Sequence, residues 1–231
     1  MLYKKMGVIN ITPDSFSDGG QANQIDSFKK AFIATEKWAD IIDIGAESTA
    51  PMNQKVKQAD EMTRYESIFF PFLSSQEDFN TTISIDTYKI DTFKYVYAQI
   101  KKYWPQSKII FNDVSGKIDD ALISLLSNKA YDFKYVFSHN LSPHREETTS
   151  HMKYVKDLSE YDFLTHLTEY FLNQIDKMLK QKQNDYGNFD TTSWLMTGIL
   201  ERILSAHNGV TVKVPNRIFG IFMIILKLWR V

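Results

Sequence analysis

Residues 82–112 read TISIDTYKIDTFKYVYAQIKKYWPQSKIIFN, and the hydrophobic pattern changes twice within them. Thr82-Ile83-Ser84-Ile85-Asp86 is a short apolar run that ends on a carboxylate. Ile90, Phe93, Val96, Tyr97 and Ile100 then recur at helical spacing, the mark of one buried face. Lys108-Ile109-Ile110-Phe111-Asn112 is a second short apolar run, ending on an amide. The stretch therefore reads as strand, helix, strand, and the two strand ends carry polar groups.

The same alternation extends in both directions. Towards the N-terminus, Met6-Gly7-Val8-Ile9-Asn10 is a strand that breaks into Thr12-Pro13-Asp14, a turn signal. Helical spacing follows from Asp26, with Ile25, Phe28, Phe32 and Trp38-Ala39 on roughly one face. Asp40-Ile41-Ile42-Asp43-Ile44 is the next run, closed by Gly45, and a helix is expected over residues 60–74. Towards the C-terminus come a short helix over 121–126, a fifth strand at Phe133–Phe137, and a long amphipathic helix marked by Leu164, Leu167, Phe171, Ile175 and Met178.

Five such units in a row imply a parallel sheet wrapped by helices. The runs show little alternation, as expected of strands buried on both faces. A doubly wound sheet and a (β/α)8 barrel both satisfy this pattern. Asn10, Glu47, Asp86, Asn112 and His139 all fall at or just beyond the ends of successive strands. In a barrel those ends converge on one mouth, whereas in an open sheet only strands at a switch point contribute. The pattern favours the barrel, a fold of the α/β (β/α)8 TIM-barrel type.

The chain has 231 residues, 43% hydrophobic and 24% charged, which are ordinary globular values. Its net charge of −1 gives no electrostatic reason to expect nucleic acid. With no cysteine, a disulfide framework, a zinc–thiolate site and a thiol nucleophile are excluded, and a metal would need oxygen or histidine ligands. The start of the chain has no signal-peptide pattern, so a cytoplasmic location is expected. Ile218–Trp229 is strongly apolar but too short, and interrupted by Lys227, to read as a membrane span.

The strand ends carry the chemistry. Asn10 to Gly20 (NITPDSFSDGG) offers oxygen ligands and a glycine pair, suited to a metal-bound or phosphorylated group; the alternative is a plain connecting loop. Glu47 at a mouth can accept from a ring N–H or act as a base. Asp86 can do the same, or cap the following helix. Asn112-Asp113 pairs an amide with a carboxylate, fit to read a heterocycle's edge, or else forms an Asx-turn. His139 is a ligand, a catalyst or a structural imidazole.

These segments closely resemble the dihydropteroate synthase family, in order and one βα unit apart. They are MGVINITPDSFSDGG (6–20), DIIDIGAESTAP (40–51), ISIDTYK (83–89), FNDVSG (111–116) and Phe137-Ser138-His139. The resemblance implies a (β/α)8 barrel that joins 6-hydroxymethyl-7,8-dihydropterin diphosphate to 4-aminobenzoate, with Mg²⁺ assisting departure of diphosphate. It implies that Asn10 meets the metal–diphosphate and that Asp86 and Asn112 hydrogen-bond the pterin. It further implies that Thr49 lines the pterin and aminobenzoate region, and that Thr12, Asp14 and Ser15 belong to a loop (12–17) that closes over the site. A homodimer is common in the family.

The sequence departs from the family at Ala50, where Arg is usual, at Ala46 in place of Gly, and at Ser138 in place of an apolar residue. Beyond about Lys182 the family's Asp-Pro-Gly, Gly-Phe-Lys, Ser-Arg-Lys and Arg-x-His segments are not found. We therefore divide the chain into a barrel region, 1–182, and an atypical segment, 183–231, with the barrel incomplete or altered after the fifth unit. Two origins stand for the segment: out-of-frame translation from Asn184, which the abrupt change of character favours, or a shortened homologue. The alternatives to the synthase are a non-catalytic pterin-binding homologue or inactive fragment, and another pterin-binding barrel enzyme. The Thr-Pro-Asp-Ser-Phe-Ser loop (12–17) argues against the last.

Overall fold

The computed structural model describes residues 4–12, 21–48, 54–154, most of 162–177, and 194–195. Strand β1 (Met6–Asn10) leads through helix α1 (Gln21–Glu36) to β2 (Ile41–Gly45). A long helical run follows, made of α2 (Gln58–Arg64), a π turn (Tyr65–Phe69) and α3 (Phe70–Ser75). Then come β3 (Thr82–Asp86), α4 (Ile90–Tyr103), β4 (Ile109–Asp113), α5 (Asp120–Ser127) and β5 (Lys134–Phe137). The strands begin and end within one residue of the positions read from the sequence. The π turn was not foreseen. It lies just upstream of Pro71, which has no N–H to donate back along the helix and whose ring crowds the preceding turn.

With a last strand, β6 (Trp194–Leu195), the sheet is parallel throughout, in strand order β1-β2-β3-β4-β5-β6. Each strand lies beside its sequence neighbour with no reversal, which is barrel winding rather than the double winding of an open sheet. The sixth strand is two residues, Trp194–Leu195, pairing in parallel with Tyr135 and Val136 of β5. The sequence had offered no strand in that region. Among the described residues β1 and β6 each pair on one side, so the barrel is incomplete there. Leu167 and Phe171 of the late helix are buried against Phe137, as their spacing implied.

Alternation along the strands separates two apolar layers. Ile9, Ile42, Ile44, Ile83, Ile85, Ile109, Phe111 and Tyr135 pack outward beneath the helices. There they meet an aromatic cluster in which Phe72 lies 4.8 Å from Phe32 and 5.1 Å from Phe28. Met6, Ile41, Ile110 and Val136 form a smaller apolar floor on the inner face. Val8, on that same inner face of the edge strand β1, is 56% exposed. No described helix is long and apolar enough to cross a membrane.

Candidate functional site

Register places the site. Asn10 pairs with Gly45, Gly45 with Asp86, and Asp86 with Asn112. The C-terminal ends of four consecutive strands thus form one row across the sheet, with Asn10, Asp86 and Asn112 on the inner face. The ladder continues a step beyond the strands, with Ile11 N–H donating to Gly45 O at 2.8 Å and Thr87 N–H to Asn112 O at 3.3 Å. These bonds fix where the loops leave the sheet. Thr12 stands immediately past Ile11 at this mouth.

Gly45 keeps the middle of the row open. A Cβ there would lie 3.1 Å from Asp86 Oδ2 and 3.5 Å from Asn10 Oδ1. The two oxygens therefore flank one point, and a side chain on residue 45 would fill the space between them. Below the row, Asp43 is 2% exposed and receives Asn112 Nδ2 on both carboxylate oxygens, at 3.2 Å each. Burial raises its pKa to about 6, and its polar neighbours Ser84 and Asn112 offset part of the rise.

The structure decides between the alternatives left open for Asp86 and for the Asn112-Asp113 pair. Asp86 is not a helix cap, because α4 starts from Lys89 with no side-chain cap. Asn112 and Asp113 do not work as a pair. Asp113 points to the opposite face, where Oδ1 closes an Asx-turn with Ser115 N–H at 2.9 Å and Oδ2 accepts from Tyr135 Oη at 2.9 Å. Arg145 Nη1 also reaches that oxygen, at 2.6 Å.

The Glu47 carboxylate is likewise engaged with the protein itself. It bonds Lys89 Nζ, whose other partner is Glu61 at 2.9 Å. Its second oxygen accepts from Val56 N–H at 2.9 Å and Tyr88 Oη at 3.2 Å. A carboxylate so engaged is structural. His139 packs 4.6 Å from the Tyr170 ring and 5.7 Å from His166. Burial, aided by the nearby His166 and Lys117, lowers its pKa to about 4. His139 is thus half-buried among aromatic rings.

Of the residues singled out in the sequence, Asn10, Asp86 and Asn112 share the row and Thr12 borders it. Thr49, Asp14, Ser15 and Ala50 lie outside the described residues. Sequence reasoning missed Asp43, although a carboxylate inside the apolar run Ile41–Ile44 was a visible signal. It also missed Arg145, which opens the 3-10 helix Arg145–Tyr154 after β5 and gave no such signal.

A metal held at this mouth would take oxygen ligands, since the chain has no cysteine. Among the described residues no three His, Asp or Glu side chains converge as a metal cage. The amide oxygen of Asn10 beside the carboxylate of Asp86 is a hard-oxygen pair, the donor type that Mg²⁺ takes alongside substrate phosphates.

A barrel-wound parallel sheet whose strand ends gather amide and carboxylate groups is the architecture of a small-molecule enzyme site. The family model for pterin binding enzymes matches residues 6–181, and the chain belongs to that family. The mitochondrial folate synthesis bifunctional protein of Pisum sativum is 34% identical over 67% of this chain and 29% of its own length. The dihydropteroate synthase of Staphylococcus epidermidis is 30% identical over 62% of this chain and 51% of its own. This chain thus spans about half, or less, of the curated relatives it matches. The crystal structure of the Clostridium difficile dihydropteroate synthase, obtained in the presence of pteroic acid, superposes with a TM-score of 0.58. That match is at 24% identity and covers 83% of this chain and 62% of that one; the common fold is therefore the pterin-binding barrel.

Proposed function

We propose that this chain is a dihydropteroate synthase, joining 6-hydroxymethyl-7,8-dihydropterin diphosphate to 4-aminobenzoate. The observation that carries the reading is the single row of Asn10, Asp86 and Asn112, held open by Gly45. Asp86 and Asn112 offer acceptors for the N–H groups of a pterin ring, and Asn10 stands where a diphosphate-bound cation would meet the protein. The bond from the exocyclic methylene to the diphosphate oxygen breaks, a bond to the arylamine nitrogen forms, and that nitrogen loses a proton. Mg²⁺, when bound, neutralises charge on the departing diphosphate. The chain's own part is to hold the electron-rich ring so that it stabilises charge at the methylene. Thr12, Asp14 and Ser15 would close the first loop over the site, and Thr49 would border the arylamine.

The proposed enzyme acts on small molecules, in the cytoplasm, with a homodimer as the assembly. The test is conversion of both substrates with Mg²⁺ present. Dihydropteroate above the uncatalysed background is expected. Saturable pterin binding without product would replace the synthase by a binding-only homologue, and neither binding nor product would end both readings.

A further inference from the structure

The Asn112 amide has an acceptor end and a donor end of similar size. It can present either the oxygen or the nitrogen, and a ligand is read differently in each case. We infer that Asp43 is the positioning residue that makes this choice for the proposed pterin site. The inference rests on the dihydropteroate synthase reading and deepens it.

The argument is geometric. Asp43 sits on β2 one pleat below Gly45, on the same face as Asn112. Because residue 45 has no side chain, nothing on β2 stands above Asp43 and the Asn112 amide reaches over to it. Asn112 Nδ2 lies 3.2 Å from each Asp43 oxygen, and both residues are buried, at 2% and 4% exposure. A carboxylate accepts and does not donate, so the reversed amide would set Oδ1 against two oxygens in a buried site, a costly arrangement. Nδ2 is therefore committed to the floor, and Oδ1 is the atom Asn112 has left for a ligand. Together with the Asp86 carboxylate it makes two acceptors on adjacent strands. The edge that fits them carries two neighbouring N–H donors, as a ring N–H beside an amino group does.

The probe is 6-hydroxymethyl-7,8-dihydropterin, titrated calorimetrically into the full chain and into D43A, D43N, N112A and D43A/N112A. Melting temperatures check that each folds. D43A frees the amide to rotate and is expected to weaken binding about tenfold, the worth of a hydrogen bond to a charged group. D43N keeps an acceptor oxygen in place and should lose less. The decisive result is non-additivity: in the N112A background, D43A should cost nothing further, because the residue it orients is gone. A role of Asp43 in general stability would not vanish there. Additive losses, or full affinity in D43A, would overturn the inference while leaving the synthase reading intact. If D43A does not fold, the same cycle run with D43N decides, with a smaller loss expected. A wild-type chain that fails to bind the probe overturns both.

Discussion

Arg145 Nη1 donates to Asp113 Oδ2 at 2.6 Å, joining the segment after β5 to the end of β4. The same guanidinium reaches Asp119 Oδ2 at 2.8 Å, Tyr88 O at 2.9 Å and Lys117 O at 2.7 Å. One planar fork thus ties together the loops that follow β3, β4 and β5, the loops that must stay in place for the row of Asp86 and Asn112 to face one ligand. Burial opposes its charge, but Asp113 and Asp119 more than compensate and raise its pKa above the ordinary value.

Removing the fork leaves Asp113, which is fully buried, without its counter-charge. R145A is expected to cost about 3–5 kcal/mol, the usual loss on breaking a buried pair from one side. R145K should recover little, because an ammonium cannot serve four partners in a plane. Denaturant unfolding of the three proteins checks this.

Lys89 poses the same physics with the signs reversed. It lies between Glu47 and Glu61, all three nearly or fully buried, and Thr92 Oγ1 gives Glu61 a further bond at 3.1 Å. K89M leaves two carboxylates facing one another and should destabilise by about 3–5 kcal/mol. Adding E47Q and E61Q to K89M removes that repulsion, so the triple variant should melt above K89M.

The two informative glycines should separate stability from binding. Gly116 has φ +60°, and a Cβ there would lie 2.0 Å from Ser138 O. G116A must therefore move backbone and is expected to lower stability by about 1–3 kcal/mol. At Gly45 the obstacle is the movable carboxylate of Asp86. G45A should melt close to wild type yet bind the pterin more weakly, a contrast visible by pairing thermal melts with titration.

His139 gives a pH dependence with a definite sign. Its folded pKa is lowered to about 4 from an ordinary 6.5, so between those values the unfolded chain binds a proton that the folded chain refuses. Its contribution is complete above about pH 6.5 and is lost as the pH falls towards 4. Asp43, raised from 3.8 to about 6, acts in the opposite sense, retaining when folded a proton that the unfolded chain releases. Comparing wild type with H139Q cancels the Asp43 contribution. The stability of wild type relative to H139Q should fall as pH drops from 6.5 to 4.

The row of site residues was legible in the sequence because apolar runs end there on Asn10, Asp86 and Asn112, and a parallel sheet brings such ends together. The helical stripe at Ile90–Ile100 and the burial of Leu167 and Phe171 followed from spacing alone. Glu47 was misread for a reason of distance. Its partner Lys89 is 42 residues away, and Glu61 stands on a helix between them. Long-range charge pairing leaves no period in the sequence. Of the two readings open at Asn112-Asp113, the Asx-turn holds for Asp113, because successive strand residues are sent by the pleat to opposite faces.

If Asp86 reads a pterin ring at the strand ends, titration of 6-hydroxymethyl-7,8-dihydropterin into wild type and D86N tests it most directly. Saturable binding to wild type, weakened tenfold to about a hundredfold in D86N at unchanged melting temperature, is the expected result for losing a charged acceptor. Equal affinity in the two proteins, or no binding to wild type, would contradict it.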